Sequence, residues 1–243
     1  MKAFILAAGL GTRLGNLTKD KPKALVKVNG TEMLALTIRR LKSQGFNEFI
    51  LNVHHHAQMV IDFLKKNDNL GVPIHISDER EQLLDTGGAL LKAHDQLMGE
   101  EPVLIHNVDV ISEVDFRELM AWHTSNKALA TLCVRNRNSD RALIFDKHLQ
   151  LNGWTNKKTK EFKWNSQPLT RYTTYAFSGI YVISPGFINN IKLAGKFSVI
   201  DSWLSMAGQH KIMGYLDQSE HWFDLGTPDK ISRAELYLKN QMI

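Results

Sequence analysis

The 243-residue chain has a single cysteine, Cys133. One thiol cannot close an intrachain disulfide or build a cysteine-based zinc site. Its setting, Ala130-Thr131-Leu132-Cys133-Val134, is an apolar strand, which makes it a small buried hydrophobe rather than a nucleophile. Long apolar runs are missing too. None is long enough to span a bilayer, and the first residues form an apolar strand with no charged leader or cleavage site. The expectation is a cytoplasmic protein without a membrane partner. There is no low-complexity linker, no internal repeat and no hexapeptide pattern, which argues against a β-helix tail and for a monomer or small homo-oligomer. A basic run is also absent. The net charge is +5, but the cations are scattered, with nothing longer than Lys157-Lys158 and near neighbours and no stripe of interleaved aromatics. That pattern counts against nucleic acid and suits small anionic substrates.

Two common nucleotide motifs are missing as well. No G-x-x-x-x-G-K-S/T exists. Gly9 and Gly11 begin a G-x-G-x-x-G, but position 14 is Leu14, Gly15 falls one place late, and the second strand ends Asn52-Val53-His54 with no acid for a ribose. What the chain does have is Leu6-Ala7-Ala8-Gly9-Leu10-Gly11-Thr12-Arg13-Leu14, directly after the apolar run Ala3-Phe4-Ile5-Leu6. Glycines let backbone N–H groups approach a phosphate, because no Cβ holds the ligand away. Arg13 and then Lys23 supply cations, the first a planar fork and the second a point charge. A strand, a glycine loop and two cations point to a triphosphate site.

Apolar strands alternate with helical patterns through the first half. Strands are expected at 48–53, 73–76, 102–106 and 128–134, with helices at 34–41, 58–67, 88–97 and 116–123 between them. Alternating βα units predict an α/β fold, a Rossmann-like, mostly parallel sheet with helices on both faces, in which ligands bind at the carboxyl ends of the strands. The second half changes character. Ala142–Phe145, Gln150–Trp154 and Tyr175–Ile183 read as strands, the polar stretch 156–170 as a hairpin or flap, 199–207 as a helix and 211–216 as a strand. Thr227-Pro228-Asp229 opens a last helix with its apolar face at Ile231, Ala234 and Leu238. One domain over 1–243 is expected: a nucleotide-binding part at 1–135, a β-rich sugar-binding lobe at 136–220, and a final segment at 221–243.

Two acids end apolar strands: Asp109 after Pro102–His106, and Asp224 after Trp222-Phe223. Each taken alone reads as a turn residue or a cap, Asp109 for the helix near Val114. As a pair beside a phosphate loop they read as magnesium ligands, since magnesium takes one or two carboxylates and fills its shell with phosphate and water. Asp85-Thr86-Gly87-Gly88 serves either to cap the next helix or to let a flat base lie on the backbone. Gly179 weakens a strand unless another group approaches it closely. Trp154 either stacks on a ligand or fills the core.

These residues resemble the sugar-phosphate nucleotidyltransferase family. The likeness begins with Leu6-Ala7-Ala8-Gly9-Leu10-Gly11-Thr12-Arg13 and Lys21-Pro22-Lys23. It continues through Asp85-Thr86-Gly87-Gly88, Asn107-Val108-Asp109, Phe177-Ser178-Gly179-Ile180 and Trp222-Phe223-Asp224-Leu225-Gly226-Thr227. Among its branches the chain is most similar to N-acetylmuramate-1-phosphate uridylyltransferases, then to mannose-1-phosphate guanylyltransferases. Phosphocholine cytidylyltransferases and a non-catalytic sugar-nucleotide sensor are the alternatives. The resemblance implies a nucleotide-diphospho-sugar transferase fold, a nucleoside triphosphate and a sugar 1-phosphate as partners, and Mg2+ as cofactor. It implies catalytic roles for Arg13 and Lys23 and a nucleotide site at Leu6, Ala7, Ala8, Gly9, Gly11, Thr12, Arg13, Asp85, Gly87 and Gly88. Sugar contacts fall to Asn107, Trp154, Ser178, Gly179 and Asp201, and metal contacts to Asp109 and Asp224. The sequence departs from the family at Ala24, in place of proline, and at Val108, in place of glycine, where a side chain would crowd the sugar or move the metal. Neutralising either acid is expected to cost on the order of a hundredfold or more in turnover and leave folding intact.

Overall fold

The computed structural model describes residues 1–241. The described chain divides into two compact units. The first holds Met1–Leu83, His106–Glu113 and the chain from Ser219 onward; the second holds Leu84–Ile105 and Val114–Gln218. Elements are numbered along the chain.

β1 (Lys2–Leu6) is the apolar run of the N-terminus, with Ala3, Phe4 and Ile5 fully buried. A two-residue hairpin follows, β2 (Lys27–Val28) and β3 (Thr31–Glu32). Its turn is Asn29-Gly30, both at positive φ, +48° and +76°, the left-handed pair that a two-residue hairpin demands. α1 (Met33–Ser43), β4 (Glu48–Val53), α2 (Ala57–Lys66) and β5 (Ile74–Asp78) complete the first stretch. β4 lies parallel to both β1 and β5. The boundaries match the sequence periodicity because each apolar set has one face or one run to bury.

In the second unit the predicted helix 88–97 is two helices, α3 (Asp85–Lys92) and α4 (His94–Leu97), with the chain bending at Ala93. β6 (Val103–Asn107) begins in this unit and ends in the first, and β7 (Val110–Ser112) follows at once. α5 (Phe116–Asn126) is capped by Asp115, whose carboxylate accepts from the N–H groups of Arg117 and Glu118 at 2.9 and 3.0 Å. β8 (Ala130–Arg135) carries Cys133, fully buried as expected, with burial pushing its thiol pKa up. β9 (Arg141–Phe145), β10 (Leu151–Asn156) and β11 (Glu161–Trp164) form an antiparallel series, so the polar stretch after 156 is a hairpin. β12 (Thr173–Ile183) runs antiparallel to β8 and β9. α6 (Val199–Met206) leads to β13 (Ile212–Leu216), parallel to β8. Back in the first unit, β14 (Trp222–Asp224) pairs antiparallel with β7, and α7 (Pro228–Gln241) ends the described chain.

The fold is thus α/β, with parallel strands in both units and antiparallel additions in the second. Among the described residues no helix is long and apolar enough to cross a membrane. A small apolar cluster in the first unit joins Leu14, Val26, Val28, Met33, Leu225, Ile231 and Ala234, with Phe223 and Leu238 packed against it. The predicted face of α7 is therefore its buried face.

Candidate active site

The glycine loop leaves β1 under tight control. Asn52, at the end of β4, turns its Oδ1 toward the loop and accepts from the N–H groups of Ala7 at 2.6 Å and Ala8 at 3.3 Å. Its Nδ2 donates to Oε1 of the buried Glu79 at 2.8 Å. The amides of Ala7 and Ala8, expected to face a nucleotide, thus face Asn52, and both residues are buried. Gly9 and Leu10 are exposed. Gly11 has φ +68°, and a Cβ there would stand 2.9 Å from Thr18 and 3.1 Å from the Cβ of Lys23. Glycine at this position is therefore required by the backbone angle and by the close approach of the lysine-bearing turn.

Arg13 projects, exposed, from a 3-10 turn over Thr12–Thr18, beside the buried Leu14. Lys23 lies in a second short turn, Lys23–Leu25, behind Pro22. Ala24, where the family has proline, is fully buried in that turn. The ammonium of Lys23 forms an ion pair with Asp109 Oδ2, with side-chain exposures of 10% and 17%. A charge so enclosed is stable only with its partner present.

Asp109 joins β6 to β7, and the cap of α5 is Asp115, which removes the capping explanation for Asp109. Asp224 ends β14 and stands opposite Val110, and the N–H of Leu225 donates to the Asp109 carbonyl at 2.8 Å. The two acids, 115 positions apart in sequence (224 minus 109), therefore meet through one antiparallel pair. Asp224 Oδ1 accepts from Gly226 N–H at 3.0 Å, and Oδ2 takes the ammonium of Lys230 at 2.6 Å. A Cβ on Gly226 would lie 2.6 Å from Arg13 Nη2 and 2.8 Å from Asp224 Oδ1, so this glycine lets the guanidinium come alongside the carboxylate. Burial works to raise the Asp224 pKa. The Lys230 hydrogen bond and charge, with the charges of Arg13 and Lys23, outweigh it and hold the carboxyl below its usual range.

Among the described residues no group of three or more His, Cys, Asp or Glu side chains forms a cation cage. Two carboxylates on one strand pair fit a hard cation that completes its shell with phosphate and water. Val108 is buried, its N–H donates to Leu6 O at 3.1 Å, and its carbonyl accepts from Thr37 Oγ1 at 3.3 Å.

A polar cluster that sequence reasoning missed holds the strand pair in position. Glu113 accepts from Tyr237 Oη at 2.5 Å and from His221 N–H at 3.1 Å, and the rings of His221 and Tyr237 stack 4.4 Å apart. The Tyr237 bond and the His221 contacts, against burial, hold the Glu113 carboxyl below its usual pKa. This ties α7 to the ends of β7 and β14.

The second unit carries the other candidates. Asp85 has φ +59°, and its carboxylate accepts from Thr86 N–H at 2.6 Å. The Thr86 hydroxyl accepts from Val199 N–H at 3.0 Å, so it satisfies a first-turn N–H of α6, whose N-cap is Ser198. Cβ atoms on Gly87 and Gly88 would meet the Phe197 ring at 2.2 Å and the Gly195 carbonyl at 2.3 Å, and Gly87 N–H donates to Phe197 O. Packing of α3 against the approach to α6 accounts for both glycines without a ligand. Gly179 sits at φ +79° where the register of β12 on β8 shifts between Phe177 and Tyr181, a bulge that by itself calls for glycine. Ser178 is fully buried. Trp154 and Asp201 share a neighbour. Lys163 stands 5.6 Å over the Trp154 ring and 3.2 Å from Asp201 Oδ1. Asn107 ends β6, half-buried, its carbonyl accepting from His106 Nδ1 at 2.8 Å.

Solved structures share the fold. HddC from Yersinia pseudotuberculosis superposes with a TM-score of 0.77 over 98% of this chain and 99% of that one, at 23% identity. A UDP-glucose pyrophosphorylase from Acinetobacter baumanii gives 0.78 over 97% and 92%, at 17%. In sequence, the chain is 31% identical to the N-acetylmuramate alpha-1-phosphate uridylyltransferase of Caulobacter vibrioides, over 97% of this chain and 96% of that relative. It is 30% identical to the mannose-1-phosphate guanylyltransferase catalytic subunit beta of Dictyostelium discoideum, over 99% of this chain, and spans only 65% of that relative's length. The model of the nucleotidyl transferase family matches residues 2–241, and the chain belongs to that family.

Proposed function

We propose that the protein transfers a nucleotidyl group from a nucleoside triphosphate to a sugar 1-phosphate, releasing pyrophosphate, with UTP and N-acetylmuramate 1-phosphate as the preferred pair in cell-wall recycling. The observation that carries the reaction class is the meeting of Arg13, Lys23, Asp109 and Asp224 in one unit around the Asp109–Asp224 strand pair. A sugar phosphate oxygen is already an anion, so no covalent enzyme intermediate is needed. Catalysis then rests on orienting two polyanions and spreading the developing charge.

Lys23, held by its turn, bridges the α-phosphate and the sugar phosphate. Arg13 takes the outer phosphates and the leaving pyrophosphate with its planar fork. The amides from Gly9 through Thr12 are the loop's donors, since Asn52 occupies those of Ala7 and Ala8. Asp109 and Asp224 would hold magnesium, which when bound would neutralise phosphate charge. The base falls to Asp85 and the Gly87-Gly88 backbone, and the sugar to Asn107, Trp154, Gly179 and Asp201.

The preference for N-acetylmuramate over mannose rests on one charge. Lys163, between Trp154 and Asp201, adds a cation that the lactyl carboxylate of N-acetylmuramate would use and a neutral hexose would not. Pyrophosphate release from each of the common triphosphates against a panel of sugar 1-phosphates tests both levels. Release only with GTP and mannose 1-phosphate would move the substrate assignment. Binding without release in every combination would leave a sugar-nucleotide sensor.

A further inference from the structure

Both acids of the strand pair already hold a lysine, but in unlike ways. Lys23 sits in a short turn between Pro22 and Ala24, its side chain only 10% exposed and paired with Asp109. Lys230 is the third residue of α7, and its side chain is 43% exposed. Its ammonium can swing into water. Asp224 is fixed from the other side, because Gly226 N–H holds Oδ1 and leaves Oδ2 as the oxygen that Lys230 takes.

Arg13, Lys23 and Lys230 set three positive charges against these two carboxylates. Adding a doubly charged ion without expelling any of them would pile charge of one sign on a small polar surface. The group that gives way is the exposed one bonded to the oxygen itself. We infer that Lys230 is a displaceable counter-ion, which keeps Asp224 in its ligating pose while the site is empty of metal and competes with the incoming divalent cation for Oδ2. This rests on the metal reading of Asp109 and Asp224. It assigns Lys230 a task of its own, setting the ion concentration at which the site loads. Lysine suits the task better than arginine, since an ammonium is a compact, strongly hydrated point charge that returns readily to water.

The test is direct binding of Mn2+ to the full chain without nucleotide, followed by the loss of the free-ion paramagnetic resonance signal. Wild type is compared with Lys230→Met, Lys230→Arg, Asp224→Asn and Asp109→Asn. Removing the competitor should tighten Mn2+ binding about threefold to tenfold in Lys230→Met, a modest gain because the pair is half exposed. Lys230→Arg should restore a dissociation constant at or above that of wild type. Both aspartate variants should bind more weakly. If they do while Lys230→Met binds as wild type or more weakly, the counter-ion role is overturned and the metal site stands. If neither aspartate variant changes Mn2+ binding, the metal reading itself fails and the inference with it.

Discussion

Asp109→Asn and Asp224→Asn are chemically the same change, and the structure predicts that they differ in what they do to the fold. In Asp109→Asn the partner left behind is Lys23, whose side chain is 10% exposed. In Asp224→Asn it is Lys230, at 43%, with an exposed Arg13 nearby. Removing one member of a fully buried pair costs about 3–5 kcal/mol, and an exposed pair contributes roughly 0–1 kcal/mol. With some water still reaching Asp109, its loss should cost about 2–3 kcal/mol; that of Asp224 should cost under about 1 kcal/mol. For a chain of this length each kcal/mol shifts Tm by about 2–4 °C, so the expected drops are about 5–10 °C and at most about 3 °C. Thermal unfolding followed by circular dichroism in chelator isolates this difference from metal binding. Replacing Lys23 by Met in the Asp109→Asn background should recover part of the loss, because the orphaned charge is gone. Turnover should fall on the order of a hundredfold in both single variants. The reasoning fails if the two Tm values drop equally, if Asp224→Asn drops further, or if either variant turns over like wild type.

Gly226→Ala places a methyl 2.6 Å from Arg13 Nη2 and 2.8 Å from Asp224 Oδ1. The guanidinium end can yield, so Tm should move little while kcat/KM for the triphosphate falls about tenfold or more; unchanged kinetics would separate Arg13 from the reaction. His123, buried in the second unit, has its pKa lowered by burial from 6.5 to about 4. Its Nε2 meets Ser184 Oγ, which itself donates to Ala128 O, so the ring donates at Nε2 and accepts Thr131 Oγ1 at Nδ1, the neutral form. The unfolded chain takes up the proton first. This contribution is therefore complete above the unfolded pKa and is lost as pH falls toward 4, by about 2 kcal/mol between roughly pH 7 and pH 5. Urea unfolding of His123→Gln near these two pH values should show that much less acid sensitivity, with a remainder from His106, also lowered to about 4; equal sensitivity would refute the assignment.

The acids and cations of the site were legible because they end strands or follow a glycine loop, and strand ends are fixed by local apolar runs. Asp109 and Asp224 needed no knowledge of which strands pair, only that each follows a run that must be buried. Asn52 needed more. It is one polar residue in an otherwise apolar strand, and that irregularity was the signal, but its meaning depends on β4 lying beside β1. Glu113, His221 and Tyr237 come from three separate segments, and nothing local marks them as a set. A close approach by protein and one by a ligand leave the same residue, so the sequence alone could not show that Phe197 and Gly195 stand against Gly87 and Gly88. Ser178 lies in a continuous apolar stretch, where alternation cannot say which face a side chain takes. Nothing local singled out Lys230, because helix periodicity counts apolar residues and is blind to an ion pair six positions back.

What keeps three like charges near one another can be argued from magnitudes. Two unit charges about 4 Å apart repel by about 1 kcal/mol in water and about 4 kcal/mol at the effective dielectric of a protein surface. Arg13 precedes Leu14, Asp224 precedes Leu225 and Lys230 precedes Ile231, and all three apolar neighbours belong to the same buried cluster. Burying one such side chain contributes about 1.5–3 kcal/mol, so the three together outweigh a surface repulsion even before the carboxylates are counted. The chemistry can therefore be drawn from distant parts of the chain because each charged group is pinned by the hydrophobic residue next to it. Lys23 and Lys230 are at the same time paired with Asp109 and Asp224, which lowers the remaining repulsion further.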